Sequence, residues 1–296
     1  MRGTTSSPSS SGAAELPALL ERLPSVASRT PALLVGLVAA LGVGVALGGA
    51  LCATPGRSAA PSESAFPGGR YFVVACPFSH RSNDDPIVFP GEPGRSHDHT
   101  FLGNRSTDAG STPASLRGAV TTCNVKADAA AYWVPTLYVG LEPVVPFLGL
   151  AYYVRRTRGY LRAFPRDLRM VAGNANARRA QPISVVSWSC GGIGSTPRRS
   201  KVPACAADQP LQLRVEFPNC WNGRSIDSAN HRRHMAYSVR ARCPASHPVA
   251  TPTLALVLFY DAVPRGARLS SGTFGGHADF MNGWGEDALT AYVQQI

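Results

Sequence analysis

Leu211-Gln212-Leu213-Arg214-Val215-Glu216-Phe217 alternates apolar and polar side chains along its whole length. Successive side chains of an extended chain point to opposite faces, so this stretch predicts a strand with one face in a core and the other toward solvent. Thr253 to Tyr260 is more uniformly apolar and predicts a strand buried on both faces. Tyr71-Phe72-Val73-Val74-Ala75 and Ile183-Ser184-Val185-Val186-Ser187-Trp188 carry the β-branched and aromatic residues that fit a pleated surface. Turn signals recur between such runs, as in Phe89-Pro90-Gly91-Glu92-Pro93-Gly94 and Trp221-Asn222-Gly223. Val144 to Val154 is apolar but too short to cross a bilayer and contains Pro146, so it reads as a core or edge strand. Glu286 to Gln295 is the best helical candidate. The expectation is an all-β or β-dominated, sandwich-like domain with few short helices, not an alternating βαβ fold.

That pattern occupies residues 70–296. Residues 1–30 are rich in Ser, Thr, Pro and Ala and read as a disordered tail. Pro31 to Ala53 contains no charge and is dominated by Leu, Val, Ala and Gly. A helix crossing the hydrocarbon core needs about 20 such residues, and a cleavable leader has an apolar stretch of only about 7–15. The run therefore reads as one transmembrane signal anchor. Cleavage near Ala50-Leu51-Cys52, which would release a secreted protein, is the alternative. Arg22 and Arg29 precede the run and place the N-terminus in the cytoplasm. Residues 54–69, full of Pro, Ser, Ala and Gly, then form a tether to an extracytoplasmic domain at the cell membrane.

Six cysteines lie in that outer domain, at positions 76, 123, 190, 205, 220 and 243. An even number outside the cytoplasm, with no Cys-x-x-Cys pair, points to disulfides over structural zinc. Sequence order suggests Cys76–Cys123, Cys190–Cys205 and Cys220–Cys243. The net charge of +11 comes almost entirely from arginine, with lysine only at 126 and 201. Basic runs such as Arg155-Arg156 read as solvated surface, and an outside location argues against a nucleic-acid partner.

Five of the seven histidines fall in three clusters: His97 and His99, His231 and His234, and His277. The i,i+2 spacing of the first pair puts both rings on one face of a strand. With His277 they would make a three-imidazole site for zinc or copper, leaving a position open for water. Asp98, Asp227 and Asp279 are candidates for orienting imidazoles, and Asp227 and Asp279 for the catalytic base. His231 and His234 could join the site, replace a ligand or contact a bound molecule. Trp221, Trp284 and Asn282 sit near the histidine clusters and are candidate ligand contacts, since indole rings offer flat faces to sugars as readily as they fill cores. His80 and His247 read as structural. No nucleophile elbow, phosphate-binding glycine loop or glycosidase-like carboxylate pair stands out.

Asp85-Pro86-Ile87-Val88 with Pro90-Gly91, Ser96-His97-Asp98-His99 with Gly103, Cys220-Trp221-Asn222-Gly223, His231 with His234-Met235-Ala236-Tyr237, His247-Pro248-Val249 and His277-Ala278-Asp279-Phe280-Met281-Asn282-Gly283-Trp284 follow one another in a fixed order. Together they resemble a family of secreted bacterial and fungal proteins known as a domain of unknown function, number nineteen-ninety-six. The resemblance implies an extracytoplasmic domain, joined in some relatives to carbohydrate-binding modules. The functional expectation is binding or processing of a cell-envelope or environmental polysaccharide at a His-lined pocket. A metal-dependent hydrolase or oxidase and a non-catalytic surface domain are the alternatives.

Overall fold

The computed structural model describes residues 70–296, so the tail, the apolar run at 31–53 and the tether at 54–69 all lie outside the described residues. Among the described residues no helix is long and apolar enough to cross a membrane. In chain order the elements are β1 (Tyr71–Ala75), β2 (Phe78–Ser82), β3 (His99–Gly103), α1 (Pro113–Leu116), β4 (Ala131–Pro135), β5 (Leu137–Val139), β6 (Glu142–Val144), β7 (Leu148–Val154) and β8 (Arg169–Gly173). There follow β9 (Val186–Cys190), β10 (Leu211–Glu216), β11 (Cys220–Trp221), β12 (Met235–Ala236), β13 (Val249–Ala250), β14 (Thr253–Tyr260), β15 (Arg268–Leu269), β16 (His277–Met281) and α2 (Glu286–Val293).

The strands form two five-stranded sheets, ordered β1-β7-β14-β10-β9 and β2-β3-β4-β16-β8, and two three-stranded sheets, β12-β11-β13 and β15-β5-β6. Every strand pairing in them is antiparallel. One core joins the two large sheets. Leu254, Leu256 and Leu258 of β14 and Leu211, Leu213 and Val215 of β10 share it with Tyr132 and Val134 of β4, Ala278 and Phe280 of β16, and Met170 of β8. As expected, β14 is buried on both faces: its other face, with Ala255, Val257 and Phe259, joins Leu150, Tyr152 and Val154 of β7 in a separate apolar cluster. Val144 to Val154 resolves into β6 and the interior strand β7, so most of that segment is core.

The polar face of Leu211 to Phe217 departs from expectation. Gln212 and Arg214 are buried almost as fully as the leucines around them, at 4% exposure each. Their polar groups are satisfied inside: Gln212 donates to the Gly192 carbonyl, and Arg214 grips the Glu216 carboxylate through Nε at 2.9 Å and a terminal nitrogen at 2.6 Å. A buried guanidinium is tolerable only when so paired. Residues 183–185 turn before β9, which therefore starts three residues later than the sequence suggests.

The six cysteines pair in sequence order: Cys76–Cys123, Cys190–Cys205 and Cys220–Cys243, across separations of 47, 15 and 23 residues. Closing loops of this size restricts the unfolded chain by about 3–4 kcal/mol each in the loop-entropy account. The largest of them spans β2, β3 and α1, ahead of β4.

Candidate metal centre

The second large sheet has one face in the shared core and one face turned away. The outward face carries Phe101, Ala131, Trp133, Val171 and Met281, which with Ile87 and Leu116 form a small apolar floor. The strand period puts His99 beside Phe101 on β3, and His277 and Asp279 beside Met281 on β16. Register aligns Phe101 and Asp279 on either side of Trp133, and Asp279 with Val171 of β8. Glycine lets β16 start close to β8. A side chain at Gly173, the partner of His277 and itself at φ +80°, would meet the Gly276 carbonyl at 2.5 Å.

On this floor the three predicted imidazoles come together. His99 and His277 stand on strands separated by β4 and lean toward each other, with His97 beside them on the segment entering β3. Ring centroids lie 4.2 Å apart for His97 and His99, 5.0 Å for His97 and His277, and 5.5 Å for His99 and His277. One ligand atom from each falls within 4.8 Å of the others. His99 Nδ1 lies 3.0 Å from the Asp84 carbonyl oxygen, and His277 Nδ1 lies 2.7 Å from that of Gly275. A carbonyl can only accept, so both Nδ1 atoms carry the proton. The neutral rings then present bare Nε2 lone pairs, and these face each other at 3.3 Å. Two acceptors at that distance repel unless a cation sits between or beside them. A proton is a poor candidate: burial first, then neighbouring histidine charge, holds His99 well below the usual imidazole range and His277 down at about 3. His97 is also lowered by burial, and its Nε2 is buried with no hydrogen-bond partner among the described residues.

Asp279 completes the centre. It has no exposed surface, neither carboxylate oxygen has a hydrogen-bond partner among the described residues, and Oδ2 lies 3.6 Å from His277 Nε2. Burial, then the charge of Asp85, raises its pKa well above the carboxylate range. Asp85 approaches from the loop between β2 and β3, and its oxygen, the His99 nitrogen and an Asp279 oxygen also lie within 4.8 Å of one another. It accepts the amides of Ile87 and Val88 at 3.0 and 2.9 Å, which fix its side chain against the burial that raises its pKa. Since His99 belongs to both triplets, the donors form one cluster of three imidazoles and two carboxylates. A third convergent group, Cys76, Cys123 and Asp128, holds its sulfurs in a disulfide and offers no thiolate.

Beyond the cluster opens a cleft of about 340 Å³ lined by Asp85, Arg95, His97, Asn174, Asn176, His231, Arg232, His277 and Asp279, among others. On its other side His97 borders a second depression with Asp98, Tyr138, Leu141, Arg268 and Ser270.

The remaining sequence candidates are placed elsewhere. Asp227 accepts from His231 Nδ1 at 3.0 Å and pairs with Arg169 at 3.5 Å, outside the imidazole cluster. His231 lines the cleft through that engaged ring. His234 is buried and tied at both ring nitrogens, to the Arg169 carbonyl and to Ser228 Oγ. Trp221 donates to the Ser225 carbonyl within its own turn. Trp284 is core: its indole donates to Tyr153 Oη and packs against Phe72 and Tyr292. Asn282 supports that turn, donating to the Pro165 carbonyl and accepting from the Trp284 amide. Asp98 turns from the imidazoles toward Arg81 and Tyr138. Sequence reasoning missed Asp85 and Arg232. The adjacent Asp84 and Asp85 do not stand out as a carboxylate pair in the sequence, but Asp-Pro is a turn signal, and residues 86–88 do turn here.

A family model described as a domain of unknown function, DUF1996, matches residues 85–284, from Asp85 at the cluster to Trp284 in the core. The chain belongs to this family. No curated protein and no solved structure matches it. The DUF1996 match takes in every donor of the cluster.

Proposed function

We propose that this DUF1996 domain binds zinc or copper at His97, His99 and His277, and uses the centre to process an extracytoplasmic polysaccharide in the adjoining cleft. The observation that carries the metal is the 3.3 Å approach of two Nε2 atoms whose Nδ1 positions are both committed as donors. Nitrogen donors suit zinc and copper, and both carbonyls hold the rings in the ligating tautomer, the usual outer support of metal-bound histidine.

A cation there would supply Lewis-acid chemistry to a substrate oxygen. The chain's own residues would do the rest. Asp279, beside His277 and free of hydrogen bonds, takes up a proton from the attacking group, because a neighbouring dication favours its carboxylate over the protonated form that burial prefers. Asp85, fixed by two amides, is the second carboxylate at the same point. Asn174 and Asn176 at the rim supply the neutral donors and acceptors that hydroxyl-rich ligands use. An extracytoplasmic setting is supported by the three disulfides, and a membrane anchor by the uncharged run at 31–53.

The test is metal analysis of the purified full chain beside His99→Ala/His277→Ala, followed by turnover assays on polysaccharides with the metal-loaded form. About one zinc or copper per chain, absent from the double variant, is the expected result. A parent that stays metal-free after reloading with either ion overturns the reading.

A further inference from the structure

Arg232 stands out in the cleft. It lines the cleft together with His97, half-buried, and its guanidinium makes no hydrogen bond or ion pair with any of the described residues. Other arginines near the site are engaged: Arg81 with Asp98, Arg95 with Glu92, and Arg169 with Asp227. It lines the same cleft as His277 and Asp279, close enough for its positive charge to act on both.

The segment that presents it is tightly built. The Arg232 amide lies within 3.2 Å of both Ser228 Oγ and Asn230 Oδ1, and the Arg233 amide donates to Asn230 Oδ1 at 2.9 Å. His231 adopts φ +56°, a left-handed conformation that side chains other than glycine rarely take. The His231–Asp227–Arg169 chain and the His234 bond to the Arg169 carbonyl tie both ends of the turn to β8. The second histidine cluster thus serves as scaffold for an arginine. Four ordered side-chain anchors and a strained backbone hold out a cation that has no partner among the described residues. A guanidinium presents two parallel N–H donors matched to a carboxylate or a phosphate, and such a fork left open in a cleft awaits an anion.

We infer that the cleft selects a saccharide bearing an acidic group, a carboxylate as in uronic acids or a phosphodiester as in polyol-phosphate polymers, with Arg232 as the residue that reads the charge. This rests on the polysaccharide reading above and names its substrate class. A dication at the imidazoles and Arg232 in the same cleft would act on the same anionic unit.

The experiment measures calorimetric binding of oligogalacturonate, poly(glycerol phosphate) and neutral xylo-oligosaccharides to the full chain. It uses wild type, Arg232→Gln and Arg232→Lys, each as isolated and after metal stripping. We expect one of the two acidic probes to bind at least tenfold more tightly than the neutral one, with the preference lost in Arg232→Gln. Arg232→Lys keeps the charge but not the fork and should restore it only in part. Which acidic probe binds decides between carboxylate and phosphodiester. Equal affinity for acidic and neutral probes, no binding of any probe, or a preference that survives Arg232→Gln in a variant with the parent's melting temperature overturns the inference. An Arg232-dependent preference in protein that holds no metal would sustain it while the metal reading falls. Full metal occupancy with a preference indifferent to Arg232 would do the reverse.

Discussion

Asp128 and Asp279 are both carboxylates without exposed surface, and burial raises the pKa of both. Their surroundings differ in one respect. Asp128 accepts from the Ala130 amide at 3.1 Å and from Tyr132 Oη at 2.7 Å. Tyr132 Oη meets Tyr153 Oη at 2.7 Å, and Trp284 Nε1 donates to Tyr153 at 2.8 Å. Every polar group in that chain has its partner. Asp279, with His97 Nε2 and the facing nitrogens of His99 and His277, has none suited to it. Folded proteins leave few buried polar groups unpaired, because each costs about 1–3 kcal/mol. A satisfied network serves the fold. A cluster of unpaired lone pairs on one sheet face serves something the fold does not contain.

The strongest way to break this contrast is His99→Ala/His277→Ala. The double variant should lose zinc or copper binding by at least about 5 kcal/mol, on a scale where protein zinc sites reach roughly 10–16 kcal/mol. It should still fold, as circular dichroism and a cooperative melt would show. The same metal analysis on Tyr132→Phe should find full occupancy; a metal-free Tyr132→Phe would mean the two regions are not separate.

Next is pH. The Asp128 pKa rises from 3.8 unfolded to about 7 folded, chiefly through burial. The folded state therefore holds this proton more tightly, so the group's contribution is fully present below about pH 4 and is lost as pH rises through 7. That is a change on the order of 4 kcal/mol. Urea denaturation of wild type and Asp128→Asn at pH 4, 6 and 8 should show the wild type losing stability relative to the variant across this window. A constant difference would remove the argument.

Leucine at each carboxylate should give opposite signs. Asp279→Leu should stabilise the metal-free protein by about 1–3 kcal/mol, because an orphaned polar group is replaced by an apolar one on an apolar floor. The same variant should bind metal more weakly. Asp128→Leu should destabilise by a similar amount, because it strips Tyr132 of its acceptor. Thermal melts with and without chelator read both, and equal signs would erase the distinction drawn here. The smallest effect is Tyr132→Phe itself, about 1 kcal/mol of stability at an otherwise intact site.

Much of the fold was legible. Period-two alternation and apolar runs located β1, β10, β14 and the interior strand β7, and cysteine order foretold the disulfides. What alternation could not reveal is that the polar face of β10 is also buried, since Arg214 and Glu216 satisfy each other there. Of the site, the imidazoles were readable because His97 and His99 share a short spacing and His277 sits in its own Gly-Gly-His motif. Asp85 and Arg232 were not. A turn aims the first, and what distinguishes the second is the lack of a partner among the described residues, which no local pattern records. Trp221 and Trp284 looked like ligand contacts because indole chemistry is the same in a cleft and in a core.

The facing imidazoles at the heart of the centre join residues 178 positions apart, His99 on β3 and His277 on β16. In kinetic terms this makes the centre a late event. Bringing such distant points together carries a chain-closure entropy of about 4–5 kcal/mol, on a (3/2)RT ln n scaling. Antiparallel sheets stitched from remote segments fold in milliseconds to seconds, not microseconds. No early intermediate built from neighbouring strands can hold the full donor set, because β16 enters between β4 and β8 only near the end of the chain. Metal uptake would then follow sheet closure, and a loaded centre would mark a molecule whose folding is complete.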